Sequence, residues 1–312
     1  MKLQQLRYLV EVAKQGLNVS DAAEALHTSQ PGISKQIRLL EDELGVQVFV
    51  RNGKRVVDVT APGREILAIS ERILREARNL KRVAEEFVNE QEGSLVVATT
   101  HTQARYALPP TIHDFMTRYP GVKLSIKQGS PTQICEFVLD GSADIAIATE
   151  GIDQFPELAM LDCYAWNRSI IVPDNHPLLD VKGRLRIEDV AKYPIITYDF
   201  AFTGRSKINR SFEEAGLTPN VVLTAIDTDV IKTYVGLGLG IGIVASMAFD
   251  VQRDVGLFAI DASHLFEPST THIGIRRDAY LRGYTYAFIE RFAPHLSRPI
   301  VERALNNRGD DE

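Results

Sequence analysis

The sequence predicts a mixed α/β chain in three parts: an N-terminal winged helix-turn-helix, a long linker helix and a body of two α/β lobes. Three observations lead there. Two helical patterns joined by a very short turn precede two short alternating segments around Asn52-Gly53. An apolar heptad repeat then runs through a stretch dense in Arg and Glu. From Ser94 onward, strand-like and helix-like segments alternate, the pattern of sheets covered by helices. The parts divide as residues 1–60, 61–92 and 93–312.

In the head, Val19, Ala22, Ala23 and Leu26 recur at helical spacing, and the two alanines let a second helix cross closely. In that second helix, Ile33, Ile37, Leu40 and Leu44 form an inward stripe. Gln30, Pro31, Ser34, Lys35 and Arg38 then face outward near its start. Ser29 is the expected N-cap, with Pro31 in the first turn, where a missing N–H costs little. Amide, hydroxyl and basic groups at a helix start suit base edges in a major groove. Val46–Val50 and Val56–Val59 read as the strands of a hairpin, with Asn52-Gly53 as the central pair of a type I′ turn. Arg51, Lys54 and Arg55 would surround its tip, where cations suit phosphate contact. The helices alone would also fit an ordinary amphipathic pair with a solvated basic edge. The adjoining wing favours a reader of double-stranded DNA.

Charge and composition agree. With 312 residues and 45% apolar content, the chain has material for several cores. Residues 1–60 carry eight Lys/Arg against seven Asp/Glu; the net charge is −6, so the remainder holds −7. An acidic bulk discourages indiscriminate adhesion to DNA and leaves binding to a local basic surface. Cys135 and Cys163 lack metal or redox spacing and read as reduced core thiols of a cytoplasmic protein. Lys2 is followed by an amphipathic pattern and not by a signal peptide. The longest uncharged stretch, Thr233–Phe249, is Gly-rich and reads as a helix end entering a buried strand, so no membrane association is expected.

Thr60 should cap the linker helix, with Pro62 in its first turn. Ile66, Ile73, Leu80 and Phe87 recur every seven residues, with Ile69, Ala77 and Val83 between them. A helix packed on its own domain would also carry an apolar stripe. A seven-residue period directly after a DNA-reading head favours a dimerisation seam that sets the spacing of two heads. Asn89–Gly93 comes next as a polar linker.

In the body, strands are expected at 95–98, 122–126 and 143–148, with helices near 104–119 and 130–140. Ser130-Pro-Thr-Gln133 is a capping box. Further strands fall near 169–172, 195–197, 221–225, 241–244 and 272–275, and helices near 205–215, 229–237 and 284–296. Mostly parallel sheets are expected, and the length suffices for two lobes. Ligands bind such sheets outside the carboxyl ends of strands. Thr99-Thr-His-Thr-Gln103, Thr149 and Thr203-Gly-Arg205 lie at those ends. Their hydroxyls and amide, with helix-start N–H groups, can hold a small anion, although each Thr alone also reads as a helix cap.

An enzyme has less support. The seven histidines include no close metal-ligand pair, and His101 reads better as a hydrogen-bonding loop residue than as a base. Gly236–Gly242 imitates a dinucleotide fingerprint but comes after a helix and enters a strand, the reverse of the required order. Neither a catalytic residue, a metal nor an organic cofactor is expected. A free-standing solute-binding protein could use the same lobes, but would carry a secretion signal and no DNA head.

Met1-Lys-Leu-Gln-Gln-Leu-Arg-Tyr8, Thr28-Ser-Gln-Pro-Gly-Ile-Ser-Lys-Gln36 and Ala98-Thr-Thr-His-Thr-Gln-Ala-Arg-Tyr-Ala-Leu-Pro109 resemble LysR-type transcriptional regulators, more narrowly their CysB branch. The segments at 128–133, 163–169, 202–206 and 229–235 support the same resemblance. It implies a two-lobed, periplasmic-binding-protein-like effector domain, with lobe 1 at about 93–164 and 267–312 and lobe 2 at about 165–266. It implies control of sulfur assimilation and cysteine biosynthesis, and a site for a sulfate-like anion at Thr100, Thr102, Gln103, Thr149 and Thr203. N- or O-acetylserine as effector, a homodimer or homotetramer on promoter DNA, and RNA polymerase as a partner are implied as well. The tail ending Asn306-Asn-Arg-Gly-Asp-Asp-Glu312 is shorter than that branch leads one to expect.

Overall fold

A computed structural model describes residues 1–53, 55–199 and 205–307. Lys54 and Thr203 lie outside the described residues. The chain forms two compact units, Met1–Glu85 and Glu86–Glu312.

The first unit opens with α1 (Leu3–Lys14), α2 (Val19–Ala25) and α3 (Gln30–Leu44). Asn18 Oδ1 caps α2 by accepting from Ser20 N at 3.0 Å, and Ser29 Oγ caps α3 by accepting from Gly32 N at 3.3 Å. Leu6, Leu9, Val12, Ala22, Ala23, Ile33, Ile37 and Leu40 share one core with Val48, Phe49 and Val56 of the wing. Leu44 does not belong to it. As the last residue of α3, before a left-handed Gly45 with φ 71°, it is 40% exposed.

The wing is β1 (Phe49–Asn52) paired antiparallel with β2 (Arg55–Val59). Two expectations need correcting. Val46, Gln47 and Val48 are outside the strand, because the buried Glu41 carboxylate takes Val48 N and Phe49 N at 2.8 and 3.2 Å where the ladder would begin. The turn is also displaced by one residue: Asn52 pairs with Arg55, so Gly53, with φ 62°, is the first turn residue rather than the second.

Thr60 Oγ1 accepts from Gly63 N at 2.9 Å and starts α4 (Ala61–Val88). Gly63 is required by contact: a Cβ there would stand 2.1 Å from the Val48 carbonyl oxygen. The heptad seam splits in two. Ile66 and Ile73 pack, half-buried, on the head core, as Leu67 and Leu74 do, so their apolar surface is already partly covered within the chain. Leu80 and Phe87 are 72% and 86% exposed.

The second unit holds two five-stranded sheets. After β3 (Glu92–Thr99), the backbone is helical from residue 101, passes through a π segment at Gln103–Ala107 and continues as α5 (Leu108–Arg118). Then come β4 (Gly121–Gln128), α6 (Pro131–Leu139), β5 (Ile145–Ala148), β6 (Leu158–Trp166) and β7 (Arg168–Pro173). The short α7 (Ile187–Val190) precedes β8 (Ile195–Tyr198), α8 (Arg205–Glu214), β9 (Val221–Ala225) and α9 (Thr228–Gly236). The chain continues through β10 (Ile241–Ala245), β11 (Leu257–Asp261), β12 (Ser269–Arg276), α10 (Gly283–Phe292) and α11 (Arg298–Asn306). Both bonds of the Ser130–Gln133 capping box form.

The sheet orders are β4-β3-β5-β12-β6 in lobe 1 and β11-β7-β10-β8-β9 in lobe 2. The sheets are mixed, not mostly parallel. β3 pairs parallel with β4 and β5, and β8 with β9 and β10, while β12 and β7 pair antiparallel with both their neighbours. The antiparallel strands are those through which the chain crosses between lobes, at Asn167 and again at residues 262–268. Apolar residues on β3, β5 and β12 pack with α5 and α10, and those on β8 and β10 with α8. No helix among the described residues is long and apolar enough to cross a membrane.

Candidate functional site

Two faces carry the chemistry. On the head, Gln30, Pro31, Lys35 and Arg38 are exposed, and Ser34 is half-buried beneath Gln30, whose Nε2 donates to Ser34 Oγ at 3.3 Å. Arg55 is exposed and lines one cleft with Gln30 and residues Asn18–Asp21. Arg51 has a different role from that expected at the wing tip. Its Nη2 donates to Glu41 Oε2 at 2.7 Å and its Nη1 to Gln47 Oε1 at 2.8 Å. The guanidinium neutralises a buried carboxylate that holds the root of the wing, so this cation serves the fold.

The second face lies in the effector unit. β3 and β5 are adjacent and parallel, with Thr99 opposite Ile147, so the residues after their carboxyl ends emerge side by side. Thr100 is 9% and Thr102 3% exposed; Thr149 is half-buried. Thr99 Oγ1 donates to Ile147 O at 2.9 Å and ties the two ends together. The helix that begins at residue 101 leaves its first N–H groups without intrahelical acceptors, and they point where the strands end.

Gln103 departs from its expected role. It is 2% exposed; its Nε2 donates to Thr271 Oγ1 at 3.0 Å and its Oε1 accepts from Tyr164 OH at 2.6 Å. Its amide anchors the helix start to β12 and β6, which leaves only its backbone N–H free of these bonds. Tyr198 of lobe 2 accepts from Ala245 N at its OH at 3.2 Å and sits 2.5 Å from Thr228 Oγ1. Burial raises the Tyr198 pKa by more than the nearby Thr102 hydroxyl lowers it, so this phenol stays protonated.

Arg205, the first residue of α8, is 4% exposed, with Nη1 donating to Tyr198 O at 3.2 Å and Nε to Asn209 Oδ1 at 3.0 Å. Burial lowers its pKa from a high starting value, and the guanidinium remains charged. It supplies a fixed positive charge beside Tyr198. His101, Asp227 and Asp229 bring possible metal-ligand atoms within 4.8 Å of one another. Both Asp229 oxygens are already engaged, Oδ1 by Tyr106 OH and Oδ2 by Arg105 Nε, each at 2.7 Å. Asp227 Oδ1 caps α9 through Val230 N at 2.9 Å. The cluster is an ion-pair network.

Sequence reasoning missed Tyr106, Tyr164, Tyr198, Lys232 and Thr271. Lys232 left the one usable signal: a cation between Ile231 and Val235 on a buried helix face, three residues after Asp229.

Comparisons with known proteins identify the domain that carries each face. Residues 3–64 match the family described as bacterial regulatory helix-turn-helix protein, lysR family, and residues 89–297 match the LysR substrate binding domain. The chain is 54% identical over 305 residues to the HTH-type transcriptional regulator SsuR of Burkholderia cenocepacia, covering 98% of this chain and 99% of that one. It is 52% identical over 311 residues to the HTH-type transcriptional regulator CysB of Haemophilus influenzae, covering 100% and 96%. Among solved structures, the cofactor-binding domain of the Cbl transcriptional regulator shares 41% identity and a TM-score of 0.67, over 70% of this chain and 95% of that domain. These are regulators, not enzymes. With a family helix-turn-helix at one end and the family effector domain through the rest, the chain belongs to the LysR-type transcriptional regulators, in their CysB branch.

Proposed function

We propose that this regulator switches genes of sulfur assimilation and cysteine biosynthesis by sensing a small anion, sulfate or the carboxylate of N- or O-acetylserine, where β3 and β5 end. One observation carries this: Thr100 and Thr149 stand at the ends of adjacent parallel strands, beside a helix start whose N–H groups lack intrahelical acceptors. Neutral donors suit a fully ionised anion, since hydrogen bonds to charge are each worth about 1.5–3 kcal/mol. Arg205 adds long-range attraction without needing to touch the ligand. Thr203, outside the described residues, completes the proposed donor set.

In the cytoplasm, a dimer or tetramer joined through Leu80 and Phe87 would place paired α3 helices on dyad-related half-sites, with Lys54 and Arg55 on flanking phosphates. An anion favouring one arrangement of the lobes over another would shift the placement of the heads, and with it contact to RNA polymerase.

Calorimetry of the full chain against sulfate, thiosulfate, N-acetylserine and O-acetylserine tests the site. Thr100→Val and Thr149→Val keep shape and delete one hydroxyl, so each should weaken anion binding by about tenfold or more. DNA binding should survive in both. Wild-type affinity for every anion in both variants would place the site elsewhere.

A further inference from the structure

Beside the helix start at residue 101, a network crosses from lobe 1 to lobe 2. Tyr106 OH donates to Asp229 Oδ1 at 2.7 Å and accepts from Lys232 Nζ at 3.0 Å. Asp229 Oδ2 takes Arg105 Nε at 2.7 Å and lies 3.7 Å from His101 Nε2. Lys232, with a side chain only 8% exposed, is held by Asp254 at 2.7 and 3.0 Å and by the Ala248 carbonyl at 3.0 Å. Desolvation opposes the Lys232 charge, but the bonds from Asp254 and Tyr106 outweigh it and raise its pKa. Both hydrogen bonds of the Tyr106 hydroxyl therefore reach α9 of the other lobe.

The backbone explains how one short segment serves both lobes. Leu108 N bonds Gln103 O, five residues back. Pro109 and Pro110 have no N–H to continue an α ladder onto Arg105 and Tyr106. The extra residue of the π turn rotates the side chains after it to a new face, and such turns recur at functional sites. Gln103 is thereby fastened to Thr271 and Tyr164 of lobe 1, while Tyr106 faces lobe 2.

We propose that Tyr106, with Asp229 and Lys232, is the positioning clamp that couples anion binding at the 101–103 helix start to closure of the lobes. The proposal rests on the anion site described under the proposed function. The clamp favours the arrangement in which Thr102 meets Tyr198, and apparent affinity scales with the fraction of molecules in that arrangement. Because the clamp touches no anion, its loss must weaken every anion by the same factor.

The test is Tyr106→Phe in the full chain, which keeps the ring and deletes both bonds. Trp166, the sole tryptophan, is 7% exposed and belongs to the apolar cluster against which Tyr106 packs, so its emission reports opening. Sulfate and N-acetylserine should each bind about fivefold more weakly. Trp166 emission without anion should shift to the red, and saturating sulfate should reverse the shift. Asp229→Asn, from the opposite lobe, should reproduce all three results. Unchanged affinities and emission in both variants, or loss for one anion alone, would overturn the clamp. Wild-type protein that binds neither anion would overturn the site and the coupling together.

Discussion

Arg51→Ala separates a cation bound into the fold from Arg55, the exposed cation we propose for DNA contact. The Glu41 side chain has 0% exposure and accepts from Val48 N, Phe49 N and Arg51 Nη2. Without Arg51 the carboxylate keeps two backbone donors but loses its counter-charge. Breaking a buried ion pair costs about 3–5 kcal/mol. The Arg51 side chain is 19% exposed, so solvent already screens part of the attraction. The expected loss is therefore about 2–4 kcal/mol, since the retained N–H bonds still stabilise the anion. Glu41→Leu combined with Arg51→Met removes the charge together with its partner and should recover most of that loss. Arg55→Ala is the contrast: at an exposed position it should change stability by less than about 0.5 kcal/mol. It should weaken binding to every DNA sequence alike and lower the salt slope by about one. Urea unfolding followed by circular dichroism measures the first effect, because Trp166 lies outside the head. Hydrogen exchange at Val48 and Phe49 localises it. An Arg51→Ala protein with wild-type unfolding and exchange, but a reduced salt slope, would refute the structural role.

Leu80→Glu with Phe87→Glu should dissociate the assembly and abolish tight operator binding while the monomer stays folded; sedimentation decides, and an intact oligomer would remove these residues from the contact. Gly63→Ala should lose at least about 2 kcal/mol from overpacking, despite a gain of about 1 kcal/mol in helix propensity, and thermal melting reads the difference. Burial pushes the Cys135 and Cys163 thiols up to about 11 and about 12. Both lie above the ordinary value of about 8.5, so the stability that comes from burying them protonated is present below that pH and fades as pH rises toward 11 and 12. At pH 8 neither should react with Ellman's reagent until the chain unfolds.

Local chemistry was legible in the sequence. Ser29, Thr60 and the Ser130–Gln133 pair each cap a helix, because a cap involves residues within one turn of each other. The wing was legible as a wing, but its turn was misplaced by one residue, because a turn dipeptide does not fix which flanking residues pair, here Asn52 with Arg55. β6 and β11 went unread: β6 is interrupted by Asp162 and two alanines, and β11 is an edge strand with Phe258 turned outward. α11 went unread as well, although Ser297 stands at its N-cap and Pro299 in its first turn. Arg51, Gln103 and Tyr106 have roles set by partners distant in the chain, and periodicity carries no trace of such pairings. Tyr106 and Asp229 are separated by 123 positions.

The double passage between lobes limits what an effector can communicate. The two crossings run side by side: Trp166 pairs with Ser269, Ser169 with Asp261, and Ala262 N bonds Arg168 O at 3.2 Å. Arg168, with 0% exposure, binds the Glu267 carbonyl at 2.9 Å and Ser269 Oγ at 2.8 Å, stapling one strand to the other. A paired ribbon bends far more readily than it shears or splays. The paired crossing thus favours rotation of lobe 2 about the ribbon over sliding along it. Ligands bound as proposed above would differ chiefly in how far along that rotation they hold the lobes. The response should be graded along one axis, with strong and weak inducers as points on a common scale.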